Sequence, residues 1–212
     1  EGEETIQLAI QSRQSSISIQ IWKESTDQIE ISIINPSGVR VGPVPEILGP
    51  HRFRIGQTEI LLYYGEPSPY SISQEIYIDL LPVESYLTEG IWRIVLSAGK
   101  IVTGQYEMWL PSDNVLNRGT GFLFPTDATT LTIPSSASRA ISVGAYDART
   151  FAYADFSGRG FTRLTNMVKP DLVAPGVEVM TTTVGGGYAA FTGTSFATPF
   201  VTGSAALLMV WG

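Results

Sequence analysis

The densest chemistry in this sequence lies near its end, in Gly193-Thr194-Ser195-Phe196-Ala197-Thr198-Pro199. A glycine turn precedes a hydroxyl, and Thr194–Val210 then runs on as small and apolar residues without a charge. The pattern predicts a tight turn entering a buried helix. The turn exposes the Ser195 side chain. The helix N-terminus adds partial positive charge and unpaired N–H groups, which stabilise a developing oxyanion. Pro199 is expected in the first turn, where its missing N–H costs little. Taken alone, the Gly-Thr-Ser triplet describes an ordinary N-capping serine equally well.

Elements that could position this hydroxyl begin at about residue 131. Ala140–Ala145 (AISVGA) reads as a continuous apolar strand of the kind buried on both faces of a parallel sheet. Loops rich in Gly, Ser and Thr follow, and then the helix. A helix without a polar face belongs in the centre of a protein, and Ala197, Gly203, Ala205 and Ala206 would let neighbours approach closely.

Residues 5–125 have a different texture. Ile17, Ile19 and Ile21 alternate with Ser16, Ser18 and Gln20, and Ile76, Ile78 and Leu80 alternate with Glu75, Tyr77 and Asp79. Ile29, Ile31 and Ile33 do the same, and Glu59–Tyr64, Ile91–Leu96 and Gln105–Leu110 are further strand-like runs. Asn35-Pro36-Ser37-Gly38, Glu66-Pro67-Ser68-Pro69 and Ser97-Ala98-Gly99-Lys100 are turn signals between them. Many short strands without an intervening helix predict an antiparallel sandwich or barrel. Its aromatics, Trp22, Trp92, Trp109, Tyr63, Tyr64, Tyr77 and Tyr86, fit strand packing better than a carbohydrate platform.

The totals agree with a packed protein of one large or two small domains. The chain has 212 residues, 43% hydrophobic and 16% charged, with a net charge of −7. Residues 1–130 carry 16 acidic and 8 basic side chains, and residues 131–212 carry 4 and 5, so the two regions differ in build. With no basic face evident, a nucleic-acid partner is not expected. The absence of cysteine rules out disulfides and thiolate metal sites. From Val179 to Gly212 there is no charge, but Gly185-Gly186-Gly187, Gly193 and Pro199 interrupt the run, so no membrane span is expected. Glu1-Gly2-Glu3-Glu4 reads as neither a signal peptide nor a natural start, and the chain is expected to begin inside something longer.

The Ser195 segment resembles the Gly-Thr-Ser-X-Ala-X-Pro nucleophile motif of subtilisin-like serine peptidases, with Val201, Gly203, Ala205, Ala206, Leu207 and Leu208 in the following helix. Lys169 through Gly176 (KPDLVAPG) is similar to that family's Pro-Asp-X-X-Ala-Pro-Gly loop, and Pro134 through Ala145 to the strand before it. The resemblance covers residues 131–212. It implies the C-terminal part of an α/β subtilisin-like parallel-sheet domain, preceded over residues 3–130 by an inserted antiparallel jelly-roll-like sandwich. That layout looks like the germination proteases of spore-forming bacteria, as do Tyr106–Asp113 and Phe122–Thr126. A spore, envelope or extracellular setting follows by the same resemblance.

Carried over residue by residue, Ser195 is the acyl-forming nucleophile and its own N–H an oxyanion donor. Thr132, Ile133, Pro134 and Ser135 would line one wall of the substrate pocket. Thr192, Gly193 and Thr194 would form its other side, and Tyr188–Thr192 would neighbour the leaving group. Asp171 matches a structural, loop-fixing carboxylate and not the triad Asp. Phe196 stands where the family usually has Met, and Phe200 where it often has His. The family's triad Asp and His and its oxyanion Asn have no counterpart here. His51, the one histidine, lacks the His-Gly-Thr context and reads as a surface-loop residue. Glu1-Gly2 resembles the pair that follows the oxyanion Asn.

These readings imply a protein or peptide substrate, an N-terminal part of the same protein as a necessary partner, and a fragment inactive by itself. An incompletely covered sheet further implies homodimerisation of the fragment. No cofactor is expected. Calcium is a family trait for which no site is identifiable in the sequence. Two other readings are a catalytically dead relative acting as a scaffold, and a sandwich that binds glycans or proteins.

Overall fold

A computed structural model describes residues 2–112, 115–163 and 165–212. Glu1 of the Glu1-Gly2 pair and Asp113 of the Tyr106–Asp113 segment lie outside the described residues. The chain divides into two compact units, Glu1–Pro125 and Thr126–Gly212.

The first unit holds β1 (Glu3–Ile10), β2 (Ile17–Glu24), β3 (Ile29–Ile34), β4 (Arg40–Val44), β5 (Gly49–Ile55), β6 (Thr58–Tyr64), β7 (Ser73–Pro82), β8 (Gly90–Ala98), β9 (Tyr106–Trp109) and β10 (Gly121–Phe122). They form two five-stranded antiparallel sheets, β10-β1-β8-β3-β4 and β5-β6-β7-β2-β9. One hydrophobic core takes Leu8, Ile10, Ile31, Trp92 and Ile94 from the first sheet and Ile19, Ile21, Ile60, Leu62, Tyr64, Ile76 and Ile78 from the second. Each such side chain contributes roughly 1.5–3 kcal/mol relative to exposure.

This pairing corrects the jelly-roll expectation. A jelly roll is built from two interlocked Greek keys, whose long connections carry strands between non-neighbours. Here the neighbour hairpins β3–β4, β5–β6 and β6–β7 stand beside the non-neighbour pairs β1–β10, β1–β8, β3–β8, β2–β7 and β2–β9, so the two five-stranded sheets mix hairpins with crossovers. The β3–β4 hairpin is closed locally: Asn35 accepts the Gly38 N–H at its carbonyl (2.9 Å) and the Val39 N–H at its side chain (2.8 Å).

A charged knot sits at the β2–β3 turn. The buried Lys23 ammonium donates to Glu46 (3.2 Å), Gln74 (2.7 Å), the Glu24 carbonyl (3.3 Å) and the Asp27 carbonyl. The Asp27 carboxylate accepts the N–H groups of Val102 (2.6 Å), Thr103 (2.9 Å) and Gly104 (2.8 Å). Burial works against its charged form, but those three donors, with Lys23 nearby, hold its carboxyl below the usual range.

The second unit holds β11 (Val143–Asp147), β12 (Ala152–Tyr153), β13 (Gly160–Phe161), β14 (Val168–Lys169), β15 (Leu172–Pro175), β16 (Val179–Thr182), β17 (Tyr188–Phe191) and α1 (Thr194–Trp211). Its sheets are small: β12-β11-β15, β13-β14 and β16-β17. The expectation of an α/β parallel-sheet portion is therefore corrected too. Among the described residues one parallel ladder exists, four residues long, from Val143 opposite Leu172 to Tyr146 opposite Pro175, and one helix of 18 residues. Strands of two to five residues between turns cannot extend such a ladder. The strand expected at Ala140–Ala145 begins three residues later, leaving Ile141 65% exposed.

Helix α1 is not buried as its composition predicted. Ala197 alone among its residues is buried, and Leu207, Leu208, Met209, Val210 and Trp211 are exposed. By length and composition it could cross a membrane, but a packed soluble-protein helix passes the same test.

Candidate active site

The first turn of α1 is wedged against the parallel ladder by small residues. Ala197 joins Ala145, Ala154 and Ala174 in a second core, with Val143, Val177 and Val201 against it. Gly176, just past β15, is the tightest point. A Cβ there would lie 2.5 Å from the Ala145 Cβ, 3.1 Å from the Gly193 carbonyl and 3.4 Å from the Ala197 Cβ. Only a residue without a side chain lets strand and helix entry approach this closely.

Hydrogen bonds hold the approach to Ser195. The Gly193 N–H donates to the Gly176 carbonyl at 2.8 Å, and the Glu178 N–H donates to the Thr192 hydroxyl at 3.0 Å. The Phe196 N–H closes back on the Gly193 carbonyl at 3.1 Å, and the Phe191 and Phe196 rings stack at 5.3 Å. Gly193 itself has φ 155° and ψ 160°, a backbone that glycine adopts readily and other residues rarely do.

At the second helical position, Ser195 is exposed. Thr198, Thr202 and Ser204 donate their hydroxyls back to the carbonyls of Thr194, Thr198 and Phe200 respectively, each four residues earlier. Four residues before Ser195 is Phe191, outside the helix, and no hydrogen bond engages the Ser195 hydroxyl among the described residues. Its N–H lies in the first turn, whose amides have no acceptor further back in the helix. With no acidic residue in that turn, the positive end of the helix dipole stays unneutralised. The arrangement presents an exposed hydroxyl at the positive end of the helix dipole, beside the residue's own N–H. Pro199, however, is the sixth residue of α1 and not in its first turn, so the N–H that would bond the Ser195 carbonyl is missing.

The other expected wall stands on its own turn. The Ser136 N–H donates to the Thr132 carbonyl (3.2 Å), the Ala137 N–H to the Pro134 carbonyl (3.0 Å), and the Ser135 hydroxyl meets that of Ser142. Ile133 is 90% exposed, free to meet another molecule. Thr192, Gly193 and Thr194 adjoin Ser195 in the chain, whereas no hydrogen bond or ring contact joins them to Thr132, Ile133, Pro134 or Ser135 among the described residues.

Asp171 is engaged elsewhere. Its carboxylate accepts the Lys169 ammonium and the Ser142 N–H, both at 2.6 Å, and its own N–H returns to the Ser142 carbonyl at 2.9 Å. Lys169, buried, also donates to the Ala140 carbonyl at 2.7 Å. The Lys169 hydrogen bond, then that of Ser142, holds the Asp171 carboxyl below its ordinary value. It clamps the start of the parallel ladder.

His51 does not lie in a surface loop. It is a half-buried residue of β5, its Nε2 2.7 Å from the Ile47 carbonyl and its ring packed against Phe53 and Tyr64. No group of three His, Asp or Glu side chains suited to a metal ion occurs among the described residues. The packing role of Gly176, which the sequence shows only as the end of the KPDLVAPG loop, and the Phe191–Phe196 stack come from the structure alone. The Pro-Gly ending of an apolar strand was the available signal for the first, and nothing local announced the second.

Comparison with known proteins places these elements in company. The profile of the subtilase family, peptidase S8, matches residues 91–210, more than half of the chain, starting within β8. An intracellular serine protease of Paenibacillus polymyxa is 43% identical over 75 residues, 35% of this chain and 21% of that protein. Subtilisin E of Bacillus subtilis is 38% identical over 81 residues, 38% of this chain and 19% of its own length. The structure of the Clostridium perfringens CspB protease superposes on 100% of the chain with a TM-score of 0.90 at 34% identity, over 44% of that protease. The chain thus corresponds to less than half of the CspB protease and to about a fifth of the other two.

Proposed function

The chain belongs to the subtilase family, and from that premise we propose that it is the nucleophile-bearing part of a serine endopeptidase that cleaves peptide bonds through an acyl-enzyme at Ser195. The observation that carries this reading is the exposed Ser195 hydroxyl at the entry of α1, whose own N–H lies in the first turn with no acceptor further back in the helix. In the reaction the Ser195 oxygen bonds to the scissile carbonyl carbon to give a tetrahedral oxyanion, its collapse breaks the carbon–nitrogen bond, and water then cleaves the acyl–Ser195 ester. A general base takes the hydroxyl proton and passes it to the leaving amine. The Ser195 N–H is one donor to the oxyanion. Thr132, Ile133, Pro134 and Ser135 on one side, and Thr192, Gly193 and Thr194 on the other, are the candidate contacts of a protein or peptide substrate.

Among the described residues no histidine or carboxylate is hydrogen-bonded to Ser195, and we assign the base, its orienting carboxylate and the second oxyanion donor to another part of the protein. We accordingly read residues 3–130 as an inserted β-rich unit and residues 131–212 as the C-terminal catalytic portion, a layout like that of the germination-type subtilases. The superposition of the whole chain on one protease supports it.

Labelling with a fluorophosphonate probe tests the assignment. The complete protein should label at Ser195, its Ser195→Ala variant should not, and the 212-residue chain alone should label slower by a factor of about 10⁴ or more. Equal labelling of the Ser195→Ala variant would remove the nucleophile assignment. Rapid labelling of the isolated chain would remove the claim that its base lies elsewhere.

A further inference from the structure

Residues 131–142 belong to no strand or helix, and their own backbone bonds only close turns: Ser136 N–H to Thr132, Ala137 N–H to Pro134 and Ala140 N–H to Ala137. A segment without a ladder keeps one shape only where neighbouring parts of the fold fix it. Both of its ends are fixed. Before it, the Thr130 N–H donates to the Arg159 carbonyl (2.8 Å) and the Arg159 N–H to the Thr130 hydroxyl (2.9 Å). The Arg159 guanidinium also pairs with Asp127 (2.7 Å) and lies 5.0 Å from the centre of the Tyr153 ring.

The far end is held by charge. Ser142 is buried, its N–H on the Asp171 carboxylate and its carbonyl accepting the Asp171 N–H. Lys169, its side chain 1% exposed, donates to the same carboxylate oxygen and to the Ala140 carbonyl. A buried ammonium is tolerated only with partners in fixed places, so this ion pair ties Ala140 and Ser142 to one position. The Ser142 hydroxyl, in turn, meets the hydroxyl of Ser135. Two residues before Ser135, Ile133 stands 90% exposed. The Lys169–Asp171 pair takes no part in the chemistry proposed at Ser195, yet through Ser142 it reaches the turn that carries Ile133.

On the reading of Thr132, Ile133, Pro134 and Ser135 as substrate contacts, we propose that Ser142 is a positioning residue for that wall. Its hydroxyl, held in place by Lys169 and Asp171, fixes Ser135 and the residues just before it. The clamp therefore governs which substrate side chains are accepted, and not how fast Ser195 reacts.

Steady-state hydrolysis by the complete protein tests this, using peptide p-nitroanilides alike except for phenylalanine or alanine before the scissile bond. Ser142→Ala removes the hydroxyl and leaves the backbone bonds to Asp171 in place. It should raise KM for the preferred substrate about fivefold, the size of one lost hydrogen bond, and keep kcat within about twofold. The ratio of kcat/KM between the substrates should narrow by about the same factor. Fluorophosphonate labelling of Ser195 should stay within about twofold, because that probe offers no peptide side chain to the wall. Lys169→Met should act in the same direction. Ser142→Ala combined with Ser135→Ala should be no worse than the more damaging single change, since both remove one bond. A contact that is merely structural would lower the melting temperature and leave the substrate ratio unchanged. That outcome, or additive effects of the serine substitutions, would overturn the proposal while normal labelling kept Ser195 as the nucleophile. A complete protein that neither labels nor cleaves would remove the Ser195 reading and the role of the clamp together.

Discussion

Ser195 owes its exposure to residues that carry no reactive group. Gly176 lets β15 and the helix entry touch, and Gly193 supplies a backbone that a larger residue would strain. Both positions follow from the chemistry of the site: a nucleophile must project, and its support must be dense. A methyl group at Gly176 has nowhere to go, since the nearest atoms are the Ala145 Cβ at 2.5 Å and the backbone carbonyl of Gly193. Gly176→Ala is therefore expected to destabilise the protein by about 1–3 kcal/mol. It should also slow probe labelling of the complete protein, because relief comes by displacing the turn before Ser195. Urea unfolding together with labelling rates would check it, and an unchanged midpoint would show that the contact relaxes freely. The motif announced Ser195 because helix entry is coded within a few residues. The need for Gly176 was hidden, because the atom it must avoid is supplied by β11, about thirty residues earlier in the chain.

At the scale of elements, α1 shows why composition predicts burial only conditionally. Its residues are small and apolar on every side, and such a helix is stable in the middle of a protein. Within this chain β11 and β15 reach only its N-terminal half, through Ala197 and Val201, and Leu207 through Trp211 are left in water. We expect the 212-residue chain by itself to bind an apolar dye and to associate at high concentration, as a homodimer, through this end of α1. Leu207→Lys with Val210→Lys should restore a monomer by light scattering. A chain already monomeric without bound dye would contradict the expectation. Strand alternation was a better guide. Ile17, Ile19 and Ile21 were read as one buried face, and all three are buried against Ile76, Ile78 and Leu80 across the ladder. Which strand pairs with which was not readable, because alternation specifies a face and leaves the partner open.

For the molecule as a whole, the two units are unequally built. The first encloses large aliphatic side chains with Trp92 and Tyr64, whereas the second closes over four alanines. The first nevertheless contains a carboxylate held below its ordinary pKa, Asp27, by three N–H donors that outweigh its burial, and the second contains two, Asp171, by Lys169 and Ser142, and Asp147, by Arg149. A depressed folded-state value means that the stabilisation is fully present above the ordinary carboxylate range and is lost as the pH falls through the folded value. Both units should therefore weaken below about pH 4, measurable by circular dichroism during acid titration. Asp27→Ala should lower stability at neutral pH and flatten the acid limb of the first unit. A limb as steep as before would show that other carboxylates set it. What the sequence determined alone was whatever is written in short stretches: the faces of the strands, the turns, the hydroxyl at a helix entry and the kinship its motifs carry. The strand pairing of the first unit, the short parallel ladder of the second and the uncovered end of α1 were decided by the tertiary structure. Each depends on which distant segment arrives to fill a given space, and contacts of that kind leave no local signature in the chain.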